Sequence, residues 1–585
     1  MRVIALLLVV GAVYANSWHD SLVYDDKLFA DYLRFSDLTE IPRYFVDHVW
    51  AERTVESGLY RPMLFISVGL DAWLFGDWFA GYHLVNVFMH GIVTLLLYGF
   101  LQALLRSDAR TRSCATFAAF LAAVVYGVHP VHNEVVNSVF NRSTMLAAIG
   151  MLAGLWLLIR FIGSKPVLAW CSLIFAYTFA LFSRETAIVL PGIAVVVLFT
   201  YTPDSPADRL RRSIPVLLLL VPMVVYLALR GGALSGGELG PISAGGTSGI
   251  VDQIDGTRLL QPSVLLDAAG TLAEAMLVFL WPAELSLNYP NLSRGAQWAG
   301  LLVHLILLGA GWLLYRRGRV GLLAGLGIYY LAFLPASRLF GAGALAPHLQ
   351  ERYLYIPSIG LALTLGYGLV SLRERFDRRL AVAPVVLFVL LSVPVTGARN
   401  TQWSSEIALF EADYARGRRS EFILRLLTAA HLRQGDFGRV MEICDADNPL
   451  ALRSMARVTV HCASAYSFSG RIADAERAYQ VAARNPGVSS LARSNLAQHY
   501  LRQGRTNDAE VQFKMAVDAE QSEARKAYRT GYMLVHLYPN SREKLVEARG
   551  WFLEAARLEP QWSAPRPWLV RLDAALGTAV PIGEP

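Results

Sequence analysis

Residues 144–163 read TMLAAIGMLAGLWLLIRFIG, and after Ser164-Lys165 residues 166–182 read PVLAWCSLIFAYTFALF. Arg160 is the one charged side chain in the first run, and the second has none. Twenty helical residues at 1.5 Å each cover about 30 Å, the thickness of a bilayer's hydrocarbon core. Lipid offers no partners to backbone N–H and C=O groups, so runs of this kind must be helices. Two of them joined by a short basic turn form a membrane hairpin.

The pattern recurs outward from this hairpin. Apolar runs at 2–18, 82–104, 114–128, 144–163, 166–182, 186–201, 214–229, 297–315, 320–335, 355–372 and 380–396 predict about eleven spans. Met1-Arg2 and the run to Val13 also resemble a cleavable leader, but the pattern works best with this run kept as the first span. Of the 585 residues 54% are hydrophobic and only 17% charged, where a soluble protein would carry about a quarter charged residues. Basic clusters at Arg106-Arg110-Arg112, Arg160-Lys165, Arg209-Arg211-Arg212, Arg316-Arg317-Arg319 and Arg373-Arg375-Arg378-Arg379 all fall on one, cytoplasmic, side if those eleven runs span. That alignment requires two further stretches to lie at the interface or re-enter from outside: 63–79, interrupted by Asp71, and 264–281, interrupted by Asp267 and Glu274. The net charge of +7 is thus spent on orientation. There is no basic stripe with interleaved aromatics, so nucleic acid is not an expected partner.

Beyond residue 397 the composition becomes that of an ordinary soluble region, giving a membrane domain at 1–396 and a second domain at 397–585. Ala463, Tyr466, Gly470, Ala475, Tyr479 and Ala482 recur 34 residues later as Ala497, Tyr500, Gly504, Ala509, Phe513 and Ala516. A third copy follows at Ala548, Phe552 and Ala555, and Gly435 marks a degenerate earlier one. This is the tetratricopeptide pattern, a solenoid of helix pairs that commonly binds a protein partner. The fold class is therefore all-α: a polytopic membrane bundle followed by an α-solenoid. Cys444 and Cys462 form a disulfide if this domain lies outside the cytoplasm; two buried thiols are the equal alternative.

The topology puts most of the chemically interesting side chains on the non-cytoplasmic side. Tyr24-Asp25-Asp26 opens the first outward loop. Adjacent carboxylates repel, so one holds its proton more tightly than an isolated Asp, which suits a general base. The second loop offers His129, His132 and Glu134, then Arg142; two His from one short loop are a poor metal site and better hydrogen-bond donors to an anion or sugar. Arg61, His83, His90, Arg184-Glu185, Arg338 and Glu351-Arg352-Tyr353 stand at ends of spans on that side. Ionisable groups there are costly, and arginines bind phosphate bidentately. An outward cavity of this kind suits sugar transfer from a polyprenyl-phosphate donor. The alternatives are a non-enzymatic repeat scaffold for envelope assembly and a flippase for lipid-linked sugars.

In these motifs the chain resembles the TMTC family of protein O-mannosyltransferases and their bacterial relatives. The matching stretches run in order along nearly the whole chain, from Asn16-Ser17 and Asp25-Asp26, through Tyr60-Arg61-Pro62, His129-Pro130-Val131-His132 and Arg184-Glu185-Thr186, to Glu351-Arg352-Tyr353-Leu354-Tyr355-Ile356-Pro357-Ser358. The resemblance implies a GT-C membrane domain and inverting transfer from a lipid-phosphate sugar. It implies an acid of the Asp25-Asp26 pair in catalysis, with Asp26 first and Asp25 its partner, and Arg352, Arg184 and Arg142 on the donor phosphate. Arg61, Glu134, Glu351 and Tyr353 join the substrate-binding set, with His129 and His132 as weaker members. It implies a protein acceptor held by the repeats outside the cytoplasm. No cofactor is assured and a divalent metal is left open; the short connections and lone membrane domain point to a bacterial inner membrane, with the repeats in the periplasm, over an endoplasmic reticulum. Three departures stand out: Arg184 where Lys is more familiar, Asn288 where Asp is frequent, and only about three clear repeats.

Overall fold

A computed structural model describes residues 1–28, 38–45, 59–201, 206–234, 261–337, 339, 349–446, 455–560, 562 and 564–577. Arg338 lies outside them. Every regular element among the described residues is helical. One compact unit ends at Arg418 and a second begins at Arg419. The first unit continues past residue 396 because its last long helix is followed by a short one whose Asp413 is bonded back into it.

The first unit comprises α1 (Arg2–Val13), α2 (Pro62–Phe75), α3 (Phe79–Ser107), α4 (Ala115–Val128), α5 (Asn133–Asn137), α6 (Arg142–Phe161), α7 (Pro166–Ser183), α8 (Leu190–Tyr201), α9 (Pro206–Ser213), α10 (Leu220–Leu234), α11 (Pro262–Leu280), α12 (Arg294–Arg316), α13 (Gly321–Phe333), α14 (Ser358–Arg375), α15 (Arg378–Gln402) and α16 (Glu406–Ala415). Among the described residues seven helical segments are long and apolar enough to cross a bilayer, and an eighth is if α4 and the bent segment after it count as one. Four shorter apolar helices accompany them. The chain is a multi-pass membrane protein: of the eleven expected runs, 82–104, 144–163, 166–182, 214–229, 297–315 and 380–396 lie in long segments, 114–128 in the bent pair and 2–18, 186–201 and 320–335 in shorter helices, while 355–372, on α14, is in neither group.

The opening hairpin is α6 packed on α7. A Cβ added at Gly150 would sit 2.7 Å from the Ala176 carbonyl oxygen and 3.0 Å from the Ala180 Cβ. Small residues four apart on both helices let the backbones touch, which is how helices associate where lipid supplies no hydrophobic drive. Alanines do the same work on α4, where Ala115, Ala118, Ala119, Ala122 and Ala123 are buried.

The two stretches expected at the interface part company. α2 has 14 residues, a length of about 21 Å, too short to cross a bilayer alone. Its Asp71 is buried and ion-paired with Arg142 of α6. The stretch 264–281 differs: α11 is a 19-residue helix that by length and composition is long and apolar enough to cross. The acid taken as an interruption, Asp267, accepts a hydrogen bond from Gln297 of α12, so its charge faces a neighbouring helix. With α11 able to cross, charge alternation alone no longer decides the sidedness of the later segments.

The second unit stacks helix pairs. The pairs are 421–434 with 437–446, 456–468 with 472–482, 489–502 with 506–518, and 523–537 with 542–558, and 566–576 follows. The first three turn at Gly435, Gly470 and Gly504, with φ of 75°, 79° and 76°. In each, the next residue's N–H reaches back to the carbonyl five residues earlier: Asp436 to His431, Arg471 to Tyr466 and Arg505 to Tyr500. That is a left-handed helix stop, which glycine adopts without steric cost. The copy at Gly435 is therefore a true structural repeat. Ala463, Ala475, Tyr479, Ala497, Ala509 and Phe513 are buried where the helices cross.

Cys444 and Cys462 form a disulfide, while Cys114 and Cys171 are free thiols. Thiol labelling of the denatured, unreduced protein is expected to modify Cys114 and Cys171 alone, and reduction to expose the other two. Reduction should also lower the stability of the second unit by about 3 kcal/mol, the chain-entropy cost for a loop of this length.

Candidate active site

Four connections between helices converge at one end of the first unit: residues 14–28, 129–142, 184–189 and 349–357. The first is held under strain. Tyr24 has φ 58°, the one non-glycine residue with positive φ among the described residues, which costs about 1–2 kcal/mol. The 3₁₀ turn Tyr24–Leu28 that it opens carries both acids.

The acids have different surroundings. Asp26 is fully buried. It accepts the Ser138 hydroxyl at 2.8 Å, the Val139 N–H at 2.9 Å and the Phe140 N–H at 2.8 Å. Burial pushes its carboxyl up to about 7, against the pull of these three donors. Both oxygens are engaged in clamping the loop to the turn before α6. Asp25 is partly exposed and, among the described residues, its side chain makes no hydrogen bond or ion pair. Burial raises its carboxyl above the ordinary Asp value; Arg352 and Arg61 oppose that, and Glu134 adds to it.

Three arginines surround this point. The Arg352 backbone N–H donates to Glu134 Oε2 at 2.8 Å and its Nη1 to Oε1 at 2.5 Å. Burial works against the Arg352 charge, but the Glu134 carboxylate prevails and holds the guanidinium above its ordinary range. Arg352 also lies 5.7 Å from the centre of the Tyr353 ring. Arg61 forms a two-point ion pair with Glu185, at 2.9 and 2.6 Å, and stacks over Phe140. Its Nη1 is buried with no partner. Arg184 is held by hydroxyls, Ser143 at 3.1 Å and Thr144 at 2.7 Å, and is in no ion pair among the described residues. Burial, then the neighbouring Arg61 guanidinium, pushes it down to about 9, while the Glu185 carboxylate works the other way; it stays a cation at neutral pH.

The structure thus brings together Asp25, Asp26, Arg61, Glu134, Arg184, Arg352 and Tyr353. Other members of the sequence-derived set are occupied elsewhere. Arg142 directs Nε to Asn86, Nη1 to Ser67, and Nη2 to the Tyr82 carbonyl and Asp71, which spends the fork on the fold. His129 uses both ring nitrogens, on the Phe279 carbonyl and the Val131 N–H. His132 does likewise with the Tyr126 carbonyl and the Ser358 hydroxyl. Glu351 points away from Arg352 and pairs with Arg399 at 3.2 Å. Among the described residues no three His, Cys, Asp or Glu side chains are grouped to hold a metal ion. The sequence reading missed Arg399 and Asp413. An Arg-Asn pair at the end of a long apolar run was the available signal.

Fold and site define a multi-pass helical membrane protein with an acid–arginine cluster at one end of its bundle and a helical-repeat unit after it. No family model matches the chain. It is similar to protein O-mannosyl-transferase Tmtc3 of Drosophila melanogaster, 25% identical over 572 residues, covering 82% of this chain and 59% of the relative. It is 26% identical to human TMTC4 over 468 residues, covering 69% and 61%. For mouse TMTC3 the identity is 24% over 449 residues, covering 70% and 46%. The chain is a TMTC-like protein, and it spans about six-tenths or less of the length of these curated relatives.

The two acids should separate in a stability measurement. Asp26→Asn leaves one of the clamping N–H groups facing a donor and is expected to cost about 1–3 kcal/mol. Asp25→Asn, which removes no bond, should be neutral or slightly stabilising. Thermal unfolding of the detergent-solubilised variants reads the difference directly. Arg142→Met, which strands Asp71, should cost about 3–5 kcal/mol.

Proposed function

We propose that this protein transfers a sugar from a polyprenyl-phosphate carrier to a hydroxyl of a protein acceptor, on the non-cytoplasmic face of the membrane. The observation that carries the proposal is the contrast within the cluster: Asp25 and Arg184 are in no ion pair among the described residues, whereas Arg61, Glu134, Glu185 and Arg352 each are. Asp25 is a carboxylate with raised proton affinity and unoccupied oxygens, as a general base requires. Arg184, with the unpartnered Nη1 of Arg61, is a cationic pocket without its anion, as a leaving phosphate requires. The named relatives supply the reaction type, since their names describe protein O-mannosyl transfer.

In this reading the acceptor oxygen attacks the anomeric carbon as Asp25 takes its proton. The bond from that carbon to the phosphate oxygen breaks, and the electron pair leaves with the carrier phosphate, where Arg184 and Arg352 meet the developing charge. Asp26 takes no proton; it holds the turn from which Asp25 projects. The roles of the two acids are thereby exchanged relative to the sequence-based expectation, because Asp26 has no free oxygen. The disulfide in the repeat unit supports an oxidising compartment, and with it a periplasmic placing of the repeats in a bacterial inner membrane. The repeats would hold the acceptor.

Purified protein should transfer labelled sugar from polyprenyl-phosphate donors to an acceptor peptide. Asp25→Asn is expected to lower the rate by about 10²–10⁴-fold while leaving the fold intact. A wild-type rate in that variant would remove Asp25 from catalysis. Arg184→Gln should weaken carrier use and leave acceptor binding unchanged. Because a base must be ionised, the rate should fall as pH drops through the raised pKa of Asp25, so the acid limb of kcat/KM should lie above the 3.8 of an ordinary Asp.

A further inference from the structure

The end of α15 and the helix after it, residues 397–416, belong to no motif used above, yet they touch the segments that present Asp25, Glu134 and Arg352. Asn400 donates to Asn16 at 2.7 Å and accepts from Asn137 of α5 at 3.0 Å. The first contact ties down the start of the Asp25 loop, and the second the short helix that carries Glu134. Lys27, next to Asp26, is ion-paired with Glu406 of α16 at 2.8 Å. Arg399 reaches Glu351, the residue before Arg352, at 3.2 Å with Nη2, and Asp413 at 3.4 Å with Nη1. Asp413 in turn accepts the Leu287 N–H at 2.8 Å. Glu351, Arg399 and Asp413 are each at most 2% exposed.

Three buried charges are a poor means of stabilising a core, since well-packed apolar side chains do as well or better. Their geometry is what an apolar filling would lack. A planar guanidinium addresses two carboxylates on two different elements in fixed directions, which a lysine cannot do. On one 3₁₀ turn, Glu351 faces Arg399 while Arg352 faces Glu134, so the direction of Arg352 depends on what holds Glu351.

We propose that Arg399 is a positioning residue for the transfer step, setting through Glu351 the turn that aims Arg352. Its neighbour Asn400 registers the Asp25 loop against the same helix. The inference rests on the transfer reading above, so its test includes an arm that needs no catalysis. In folded, monodisperse Arg399→Lys, kcat is expected to fall about 10- to 100-fold with little change in KM for the carrier, the loss that a misplacement of about 1 Å produces. Arg416→Lys, which touches Asp413 but not Glu351, should transfer normally. Amide hydrogen exchange should accelerate in Arg399→Lys at residues 24–28 and 351–354 and stay unchanged in the repeat helices. Unchanged exchange at both segments, or acceleration spread over the whole first unit, overturns the proposal. Local acceleration in a protein whose wild type transfers no sugar upholds the placing of the Arg352 turn by Arg399 and rejects the transfer reading, and with it the positioning role in that step. If Arg399→Lys does not fold, Asp413→Asn, which keeps the Arg399–Glu351 pair, should show a weaker form of the same local pattern, and its absence counts against the proposal.

Discussion

A charge placed at the end of a membrane bundle must be paired, and the rest of this structure is arranged around that requirement. Asp71 has Arg142, Glu185 has Arg61, Glu134 has Arg352, and Glu351 and Asp413 share Arg399. All but the Arg399–Asp413 pair join elements dozens of residues or more apart in the chain, so satisfying the charges also determines how the connections assemble. Removing one partner leaves an uncompensated ion in a place that water reaches poorly, which is far costlier than never having had the pair.

Against this neutralised background the two unpaired groups acquire meaning. Asp25 and Arg184 stand in the same cluster as the paired charges and differ from them only in having no counter-ion. A bundle that pairs its other ions at this end and leaves a carboxylate and a guanidinium without counter-ions presents open charges of both signs side by side. The strain at Tyr24 belongs to the same arrangement: the loop turns sharply, Asp26 locks inward onto the α6 turn, and Asp25 is left facing the arginines.

The helical scaffold was largely readable in advance. Long apolar runs and the 34-residue spacing are properties of local sequence, and the glycines that end the repeat helices have the positive φ their spacing implies. The failures came where partners decide. The acids of α11 read as an interruption because a linear sequence does not show Gln297 beside Asp267. His129, His132 and Arg142 had the right chemistry for a ligand, and the fold uses them in internal hydrogen bonds instead. Arg399 and Asp413 went unnoticed because nothing near them in sequence announces Glu351.

By itself, then, the sequence determined the helices, the repeat and the set of polar residues from which a site could be drawn, because periodicity and apolar length act within a dozen or so residues. Tertiary structure alone decided which of those residues are free. Availability depends on hydrogen-bond and ion-pair partners that lie more than a hundred residues away, as Ser138 to Phe140 do from Asp26 and Glu134 does from Arg352. Two adjacent aspartates identical in chemistry are thereby made different, one by three donors and the other by their absence.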